Sequence, residues 1–243
     1  MTSRKRADVL LVERGLFDSR ARAQAAIEAG GVTANGKQVT KASETLPADA
    51  EIIAEPAHPW VSRGGVKLAG ALEQYPIDIE DHVCVDVGAS TGGFTEVLLA
   101  SGASLVYAID VGRGQLHPSL HGNSRIVSME ETDIRSLAGK RLEIRPDVIV
   151  IDVSFISLKL VLPAVLPIAA APTHLLALIK PQFEADRKHS KKGIIRDAAV
   201  HKAVCDDIVA FAQDLGCTDI KVFPSPIAGG DGNTEFFLGA RRG

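Results

Sequence analysis

The stretch from Val83 to Leu99 constrains the fold of this chain most, and it reads VCVDVGASTGGFTEVLL. A short apolar segment runs into a turn that contains Gly88, Gly92 and Gly93, and a second apolar segment follows at once. Glycine permits positive φ and lets backbone amides approach a ligand closely. A helix that starts here directs its free N–H groups and its positive dipole end at whatever lies above the turn. The pattern predicts a strand–turn–helix unit with a nucleotide-type cofactor site.

Side chains in and beside this turn discriminate between cofactors. Ser90 stands where the second glycine of a dinucleotide fingerprint would be, and the turn lacks the lysine and the spacing of a phosphate-binding P-loop. Asp86 places a carboxylate beside the turn, which suits the sulfonium and amino-acid groups of S-adenosylmethionine better than a pyrophosphate. We therefore expect S-adenosylmethionine as the cofactor, with an ordinary ligand-free strand–helix turn as the alternative.

Composition excludes several classes of protein. The chain is 46% apolar and 23% charged, which is typical of a globular domain. Its longest apolar stretch, from Leu160 to Pro172, contains three prolines and is too short to span a bilayer. No basic and apolar leader opens the chain, and the three cysteines form no C-x-x-C pair. We expect a cytoplasmic protein with reduced thiols, no metal and no membrane partner.

The first 45 residues differ in charge from the rest of the chain. They carry eight basic and five acidic residues, whereas residues 46–243 have a net charge of −6. Asp8 is expected to cap a helix through Gly15, Ser19 is expected to cap a helix over 20–29, and Asn35-Gly36 predicts a type I′ hairpin. Most clusters of charged side chains only face solvent, but the excess of basic residues in this N-terminal segment, called the head below, favours binding to RNA. The candidate RNA-binding residues of the head are Arg4, Arg6, Arg14, Arg20, Arg22, Lys37 and Lys41.

Beyond the head, strands and helices alternate. We expect an RNA-binding domain over 1–59, an interdomain linker over 60–65 and a second domain over 66–243. Alternation of this kind predicts a mostly parallel, doubly wound sheet in a Rossmann-like α/β domain, preceded here by a small α+β domain. The last apolar run, Thr234 to Gly239, is expected to pair antiparallel at or near an edge.

Polar residues follow several predicted strands, at the sheet edge where ligands of such folds bind. Asp110 closes the second strand, where a carboxylate can hold ribose hydroxyls, and Asp133 could accept from an adenine amino group. The alternative for Asp133 is a helix N-cap. Asp152 and Lys180 end the next two strands, and a second lysine and a second carboxylate complete a polar cluster. These cluster partners are Lys67 and Glu235.

Two more basic stretches could touch RNA. Arg63 lies in a short Ser-Arg-Gly-Gly segment before the second domain. A segment reading RKHSKK follows the strand of Lys180, and we interpret it as a loop that contacts phosphates, with a solvated loop nearly as probable. Its candidate residues are Arg187, Lys188, Lys191 and Lys192.

The motifs together resemble one family over nearly the whole chain. The head is similar to the small RNA-binding module of ribosomal protein S4. The segments VSRGGVKL, VDVGASTGGFT, AIDVGRGQL, DVSFISL and LIKPQFE resemble the TlyA family, whose members are named haemolysins and act as ribosomal RNA 2′-O-methyltransferases. The resemblance implies an FtsJ-like S-adenosylmethionine-dependent methyltransferase domain that methylates a ribose 2′-hydroxyl, of a cytidine, in ribosomal RNA.

The resemblance also assigns roles. The family's catalytic Lys-Asp-Lys-Glu set falls on Lys67, Asp152, Lys180 and Glu235. A lysine can take the hydroxyl proton where burial or a neighbouring cation disfavours its charged form, and Lys67 supplies such a cation. The implied cofactor-binding residues are Asp86, Gly88, Ala89, Ser90, Gly92, Gly93, Phe94, Asp110, Val111, Asp133 and Ile134.

Two other interpretations stay open at this stage. One is a membrane-active haemolysin, against which the missing leader, the absence of a spanning segment and the unpaired cysteines count. The other is a non-catalytic RNA-binding assembly factor that retains a cofactor pocket, against which the complete catalytic set counts. The modified nucleotide, the ribosomal subunit and the oligomeric state are not readable from the sequence.

Overall fold

The computed structural model describes residues 3–137, 142–186 and 193–243. Within these residues the chain forms two compact units, Met1–Pro59 and Trp60–Gly243. The first is a small α+β unit and the second an α/β unit built on a seven-stranded sheet. The two units are described separately below.

Five short strands and two helices make up the first unit. The strands form a two-stranded sheet, β1–β4, and a three-stranded sheet of order β3-β2-β5. The strands are β1 Arg4–Arg6, β2 Val32–Ala34, β3 Lys37–Gln38, β4 Thr45–Pro47 and β5 Ile52–Ala54, and the helices are α1 Ala7–Glu13 and α2 Arg20–Glu28. Asn35 and Gly36 both have positive φ between β2 and β3, as the predicted type I′ hairpin requires.

Of the two predicted helix caps in this unit, one is confirmed and one is wrong. Ser19 caps α2, and its hydroxyl accepts a hydrogen bond from the amide of Arg22. Asp8 does not cap α1, because Arg6 occupies the N-cap and Asp8 lies inside the helix, fully buried. The side chains of Arg6, Arg20 and Gln24 donate to the Asp8 carboxylate instead, and the bond from Arg6 is the main reason that its pKa is well below the usual range.

The predicted linker is also corrected. Residues 60–65, predicted as the linker, belong to the second unit, whose first helix begins at Arg63. Residues 47–59 include β5, which pairs with β2 and belongs to the first unit, as the predicted domain over 1–59 requires. Trp60 packs against Gly65, where a side chain would clash with the indole, so residues 60–65 are part of a packed structure.

The second unit has the predicted doubly wound sheet. The strand order is β11-β12-β10-β9-β6-β7-β8. The strands are β6 Val83–Val87, β7 Leu105–Ile109, β8 Ile126–Met129, β9 Val148–Ile151, β10 Thr173–Ile179, β11 Cys217–Pro224 and β12 Phe236–Arg242. Strand β12 runs antiparallel to both of its neighbours, β10 and β11, one position in from the sheet edge. The prediction of a mostly parallel sheet with one late antiparallel strand is confirmed.

Apolar side chains cover both faces of this sheet. Side chains alternate along a strand, so Val85 packs into one core with Leu162 while Cys84 packs into the other with Leu98. The helices are α3 Arg63–Gln74, α4 Gly93–Ala100, α5 Leu158–Val165, α6 Pro181–Glu184 and α7 Ala198–Asp214. With both faces buried, the carboxyl ends of the strands are where a ligand can reach the chain.

Candidate active site

A glycine turn joins β6 to α4 at the carboxyl edge of the sheet. Gly88 has φ +86°, and a Cβ there would overlap the carbonyl oxygen of Asp152 at the end of β9. Gly92 has φ +92° and caps α4, and a Cβ there would overlap Leu120. Glycine is therefore required at both positions, because a side chain would meet both steric overlap and an unfavourable backbone conformation.

A cavity of about 440 Å³ lies beside this turn. Its volume is in the range of small-molecule sites, and its wall combines apolar side chains with a few polar groups. Six of the predicted cofactor-binding residues line it: Gly88, Ser90, Asp110, Val111, Asp133 and Ile134.

The polar wall of this cavity is a connected network. The Asp110 carboxylate accepts from the amide of Ser90 at 2.8 Å and from the amide of Gly112 at 2.7 Å. Gln115 completes the network, since its carbonyl oxygen accepts from the Ser90 hydroxyl and its amide donates to Asp110. Gln115 was not predicted as a site residue, although it lies within the AIDVGRGQL segment.

Glu130 holds the loop that carries Gln115, and it was also missed. Its carboxylate accepts from the amides of Gly114, Gln115 and Leu116, at 2.6 to 3.1 Å. These bonds hold the pKa of Glu130 below its usual range. A carboxylate that stays charged keeps the loop in place against the cavity.

Asp133 lies directly before a 3₁₀ helix and beside the first cavity. Its carboxylate accepts from the amide of Arg135 in the 3₁₀ helix Ile134–Leu137, and it also lines the cavity. An ion pair of 2.6 Å to the Arg135 guanidinium, together with its hydrogen bonds, lowers the pKa of Asp133.

The predicted contact of Asp86 with the cofactor is corrected by its position. Its side chain is fully buried, points to the face covered by α4 and accepts from the Thr95 hydroxyl at 2.7 Å. The other carboxylate oxygen has no hydrogen bond among the described residues. Burial raises the pKa of Asp86 to about 7. Neither Asp86 nor Gly92 lines this cavity or the one that adjoins it, so both act on the structure of the turn and not on its cavity surface.

A second cavity, of about 250 Å³, adjoins the first. Gly88, Ser90, Asp152 and Ser154 line both. The remaining predicted cofactor-binding residues, Ala89, Gly93 and Phe94, line this second cavity, together with Lys180 and the predicted RNA-binding residue Arg63.

The four predicted catalytic residues form one cluster, of which Asp152 and Lys180 line the second cavity. Lys180 Nζ lies 2.6 Å from the Asp152 carboxylate, and Lys67 Nζ lies 2.7 Å from the Glu235 carboxylate. The two pairs are joined by a 4.0 Å contact from Lys67 to Asp152. Both lysines and Glu235 are less than 10% exposed. Two cations and two anions therefore share one buried cluster, which keeps each charge paired.

Each of the four residues belongs to or borders a different helix or strand, so they are widely separated in the sequence. Lys67 lies in α3, Asp152 follows β9, Lys180 follows β10 and Glu235 precedes β12. The short loop before β12 leaves no room at Gly229 for a side chain, because a Cβ there would overlap the Glu235 carboxylate.

Three residues beside the cluster were not identified from the sequence. Ser154 accepts from Lys180 Nζ at 2.9 Å, and Gln182 donates to Glu235 at 3.5 Å. Phe155 is 89% exposed at the lip of the first cavity, with φ +65° and its ring 4.9 Å from that of Phe183. A positive φ is rare for a bulky residue and marks local strain. Only the DVSFISL motif as a whole pointed to Ser154 and Phe155.

The predicted RNA-binding residues of the first unit divide into two groups. Arg6 and Arg20 are paired with Asp8, Arg22 with Asp18, and Arg4 and Arg14 donate to carbonyl oxygens of their own unit. Lys37 and Lys41 are exposed. The predicted loop residues Arg187, Lys188, Lys191 and Lys192 lie outside the described residues.

Comparison with known families agrees with this fold. The family model for FtsJ-like methyltransferases matches residues 60–242, and the S4 domain model matches residues 5–52. The second unit is therefore a methyltransferase domain of the FtsJ-like class, and the first is an S4 domain.

Relatives of the whole chain define the family more closely. The 16S/23S rRNA (cytidine-2′-O)-methyltransferase TlyA of Mycobacterium tuberculosis is 41% identical over 99% of this chain and 91% of its own length. Hemolysin A of Brachyspira hyodysenteriae is 38% identical over 95% of this chain and 97% of its own. A solved structure of a proposed hemolysin from Streptococcus thermophilus has a TM-score of 0.78 and 40% identity, and it covers 100% of this chain and 90% of that one. The chain belongs to the TlyA family.

Among residues 3–137, 142–186 and 193–243, no helix combines the length and the apolar character needed to cross a bilayer.

Proposed function

We propose that this protein transfers a methyl group from S-adenosylmethionine to a ribose 2′-hydroxyl of ribosomal RNA. The observation that carries the proposal is the cluster of Lys67, Asp152, Lys180 and Glu235 beside two adjoining cavities. Asp152 lines both cavities, so a cofactor in one and a nucleotide in the other would meet at this cluster. The names of the TlyA relatives support a cytidine of ribosomal RNA as the target. An RNA substrate of this kind fits a cytoplasmic protein.

The larger cavity fits the cofactor. Its volume of about 440 Å³ suits a nucleoside with an amino-acid tail, and Asp110 offers a carboxylate to ribose hydroxyls. Ile109, Ile134 and Ile156 provide apolar wall for an adenine ring. When bound, S-adenosylmethionine supplies an already activated methyl group on its sulfonium. Gly88, Ser90 and Asp110 would hold it.

The chain's own residues then handle the hydroxyl. A ribose hydroxyl is a weak nucleophile at neutral pH, so the site has to align it and accept its proton. Lys180 Nζ lines the smaller cavity and is held by Asp152, which places an amine where that proton is released. Lys67 contacts Asp152 and is itself paired with Glu235, so these two residues help to hold Asp152 in place.

The first unit supplies affinity for RNA. It matches the S4 domain model, and its exposed Lys37 and Lys41 and half-exposed Arg6 and Arg20 can meet phosphates. Phosphate contacts fix register and orientation without reading the sequence.

Transfer of a labelled methyl group tests the proposal. Full-length protein is incubated with radiolabelled S-adenosylmethionine and ribosomal subunits from cells that lack the gene. We expect label in the RNA with the wild type and none above background with Lys67→Ala combined with Lys180→Ala. A matched control, Lys202→Ala, removes an exposed lysine from α7 and should match the wild type. Equal labelling by all three proteins would overturn the role of the cluster, and no labelling by the wild type would overturn the function.

A further inference from the structure

Ser154 lies where the two cavities meet and touches the amine of Lys180. It follows Asp152 by two residues at the end of β9, and its hydroxyl oxygen lies 2.9 Å from Lys180 Nζ. It lines both cavities. We propose that Ser154 is a positioning residue for methyl transfer, which fixes the direction in which Lys180 accepts the proton of the ribose hydroxyl. This inference rests on the proposed function.

The geometry of an amine limits where Lys180 can accept a proton. A neutral amine at Lys180 has two N–H donors and one lone pair, and only the lone pair can accept a proton. Ser154 Oγ accepts a hydrogen bond from Lys180 Nζ at 2.9 Å, and Asp152 Oδ1 is in ion-pair contact with the same nitrogen at 2.6 Å, so an N–H directed at each oxygen uses both donors. When both donors are engaged, the lone pair is left in the one remaining direction.

Asp152 by itself would not fix that direction. With one acceptor in place, the amine can turn about its Cε–Nζ bond and still keep one N–H on the carboxylate. The lone pair then divides its time between two directions, one of which is toward Ser154. The Ser154 hydroxyl disfavours the second direction, because an N–H turned away from it would lose the 2.9 Å hydrogen bond in which Ser154 is the acceptor.

The balanced step shows what this orientation is for. The O–H bond of the ribose hydroxyl breaks and its proton goes to Lys180 Nζ, while the oxygen forms a bond to the methyl carbon. The bond from that carbon to sulfur breaks, and its electron pair stays on sulfur. Ser154 neither gains nor loses a proton in this step, so it acts through Lys180 and is not itself a catalytic residue.

Substitution of Ser154 is expected to leave the fold intact. The residue is exposed to the cavities rather than packed in a core, so Ser154→Ala should cost little stability. It should lower kcat about tenfold, the scale of one lost hydrogen bond. The KM for RNA and the Kd for S-adenosylhomocysteine should change less than twofold. Ser154→Thr, which keeps the hydroxyl, should restore most of kcat.

A double-mutant cycle separates positioning from other roles. The cycle combines Ser154→Ala with Lys180→Ala and follows single-turnover methyl transfer to ribosomal RNA, with calorimetry of S-adenosylhomocysteine and thermal unfolding alongside. We expect Ser154→Ala to cost about tenfold with Lys180 present and nothing further with Lys180→Ala. Ser128→Ala, an exposed serine on β8, is the matched control and should match the wild type.

Several outcomes would overturn the inference. An equal tenfold loss in both backgrounds would show that Ser154 acts without Lys180, and an unchanged kcat in Ser154→Ala would show that it does not act. A raised Kd for S-adenosylhomocysteine that accounts for the whole loss would assign Ser154 to cofactor binding. If the wild type itself transfers no methyl group, the proposed function fails, and that result is distinct from an active wild type matched by Ser154→Ala.

Discussion

At the scale of single residues, Lys180 carries the sharpest claim. Lys180→Ala should slow methyl transfer by about a hundredfold or more, the usual scale for loss of a general base. The fold should tolerate the change, because the side chain ends at a cavity rather than in a core. Single-turnover transfer to ribosomal RNA measures the loss, and thermal unfolding checks the fold.

Lys180→Arg separates two roles for the same residue. Arginine keeps the positive charge but stays protonated in proteins, so it cannot accept a proton. We expect it to be as slow as the alanine variant. Transfer at the native rate by Lys180→Arg would make Lys180 an electrostatic anchor and would send the proton elsewhere.

Asp86 predicts a pH dependence of stability. Its pKa rises from an ordinary 3.8 to about 7 on burial, so folding favours the protonated form. Its contribution is fully present below about pH 4 and is lost as the pH rises to about 7. Asp86→Asn keeps an oxygen for the Thr95 hydroxyl and cannot ionise.

The variant should therefore gain stability relative to the wild type between pH 4.5 and 8, by at most about 4 kcal/mol. Urea unfolding of both proteins at several pH values measures this difference. A difference that stays constant over the range would show that Asp86 is ionised in the folded protein at every pH tested.

The strained backbone at Phe155 is expected to lower stability while its exposed ring supports methyl transfer. Asn tolerates the positive φ of this position better than Phe does, so Phe155→Asn should stabilise the protein by about 1 kcal/mol. Because Phe155 is exposed at the cavity lip, methyl transfer should fall at the same time. Chemical denaturation and a transfer assay measure the two effects, and a loss of stability would show that the contact with Phe183 outweighs the strain.

At the scale of elements, the glycine turn gives a matched comparison. Gly88 and Gly122 both have positive φ, but a Cβ at Gly88 would overlap the carbonyl of Asp152, whereas nothing lies within 4 Å of one at Gly122. Gly122→Ala should cost about 1 kcal/mol through its backbone alone. Gly88→Ala should cost more and weaken binding of S-adenosylhomocysteine, as calorimetry can show. Equal effects of the two substitutions would contradict the tight approach of the turn to Asp152.

Elements were predictable from the sequence to different degrees. Local sequence pattern predicts the strand–turn–helix unit, the parallel strands and the strand ends at Asp152 and Lys180. It can do so because apolar runs and glycines determine the conformation of the few residues around them. The burial of Asp8 and Asp86 does not follow, since it depends on which helix packs over each carboxylate. Ser154, Gln115 and Glu130 acquire their roles through distant partners, which no local spacing reveals.

At the scale of the whole molecule, the two units should divide the work. We propose that residues 60–243 contain the complete cluster and fold without the first unit, since the two units are separately compact. A chain starting at Trp60 should keep binding S-adenosylhomocysteine but lose most of its affinity for ribosomal RNA. The RNA affinity of the full chain should weaken steeply with salt, and that of the fragment much less. An equal affinity for RNA with and without residues 1–59 would contradict this division.

The central claim concerns which atom receives the methyl group. The most direct measurement is mass spectrometry of nucleosides from ribosomal RNA treated with the protein and S-adenosylmethionine carrying a deuterated methyl group. We expect a labelled 2′-O-methylated nucleoside with the wild type and its loss with Lys180→Ala. A label on a base, or no label in the RNA although the cofactor is intact, would contradict this expectation.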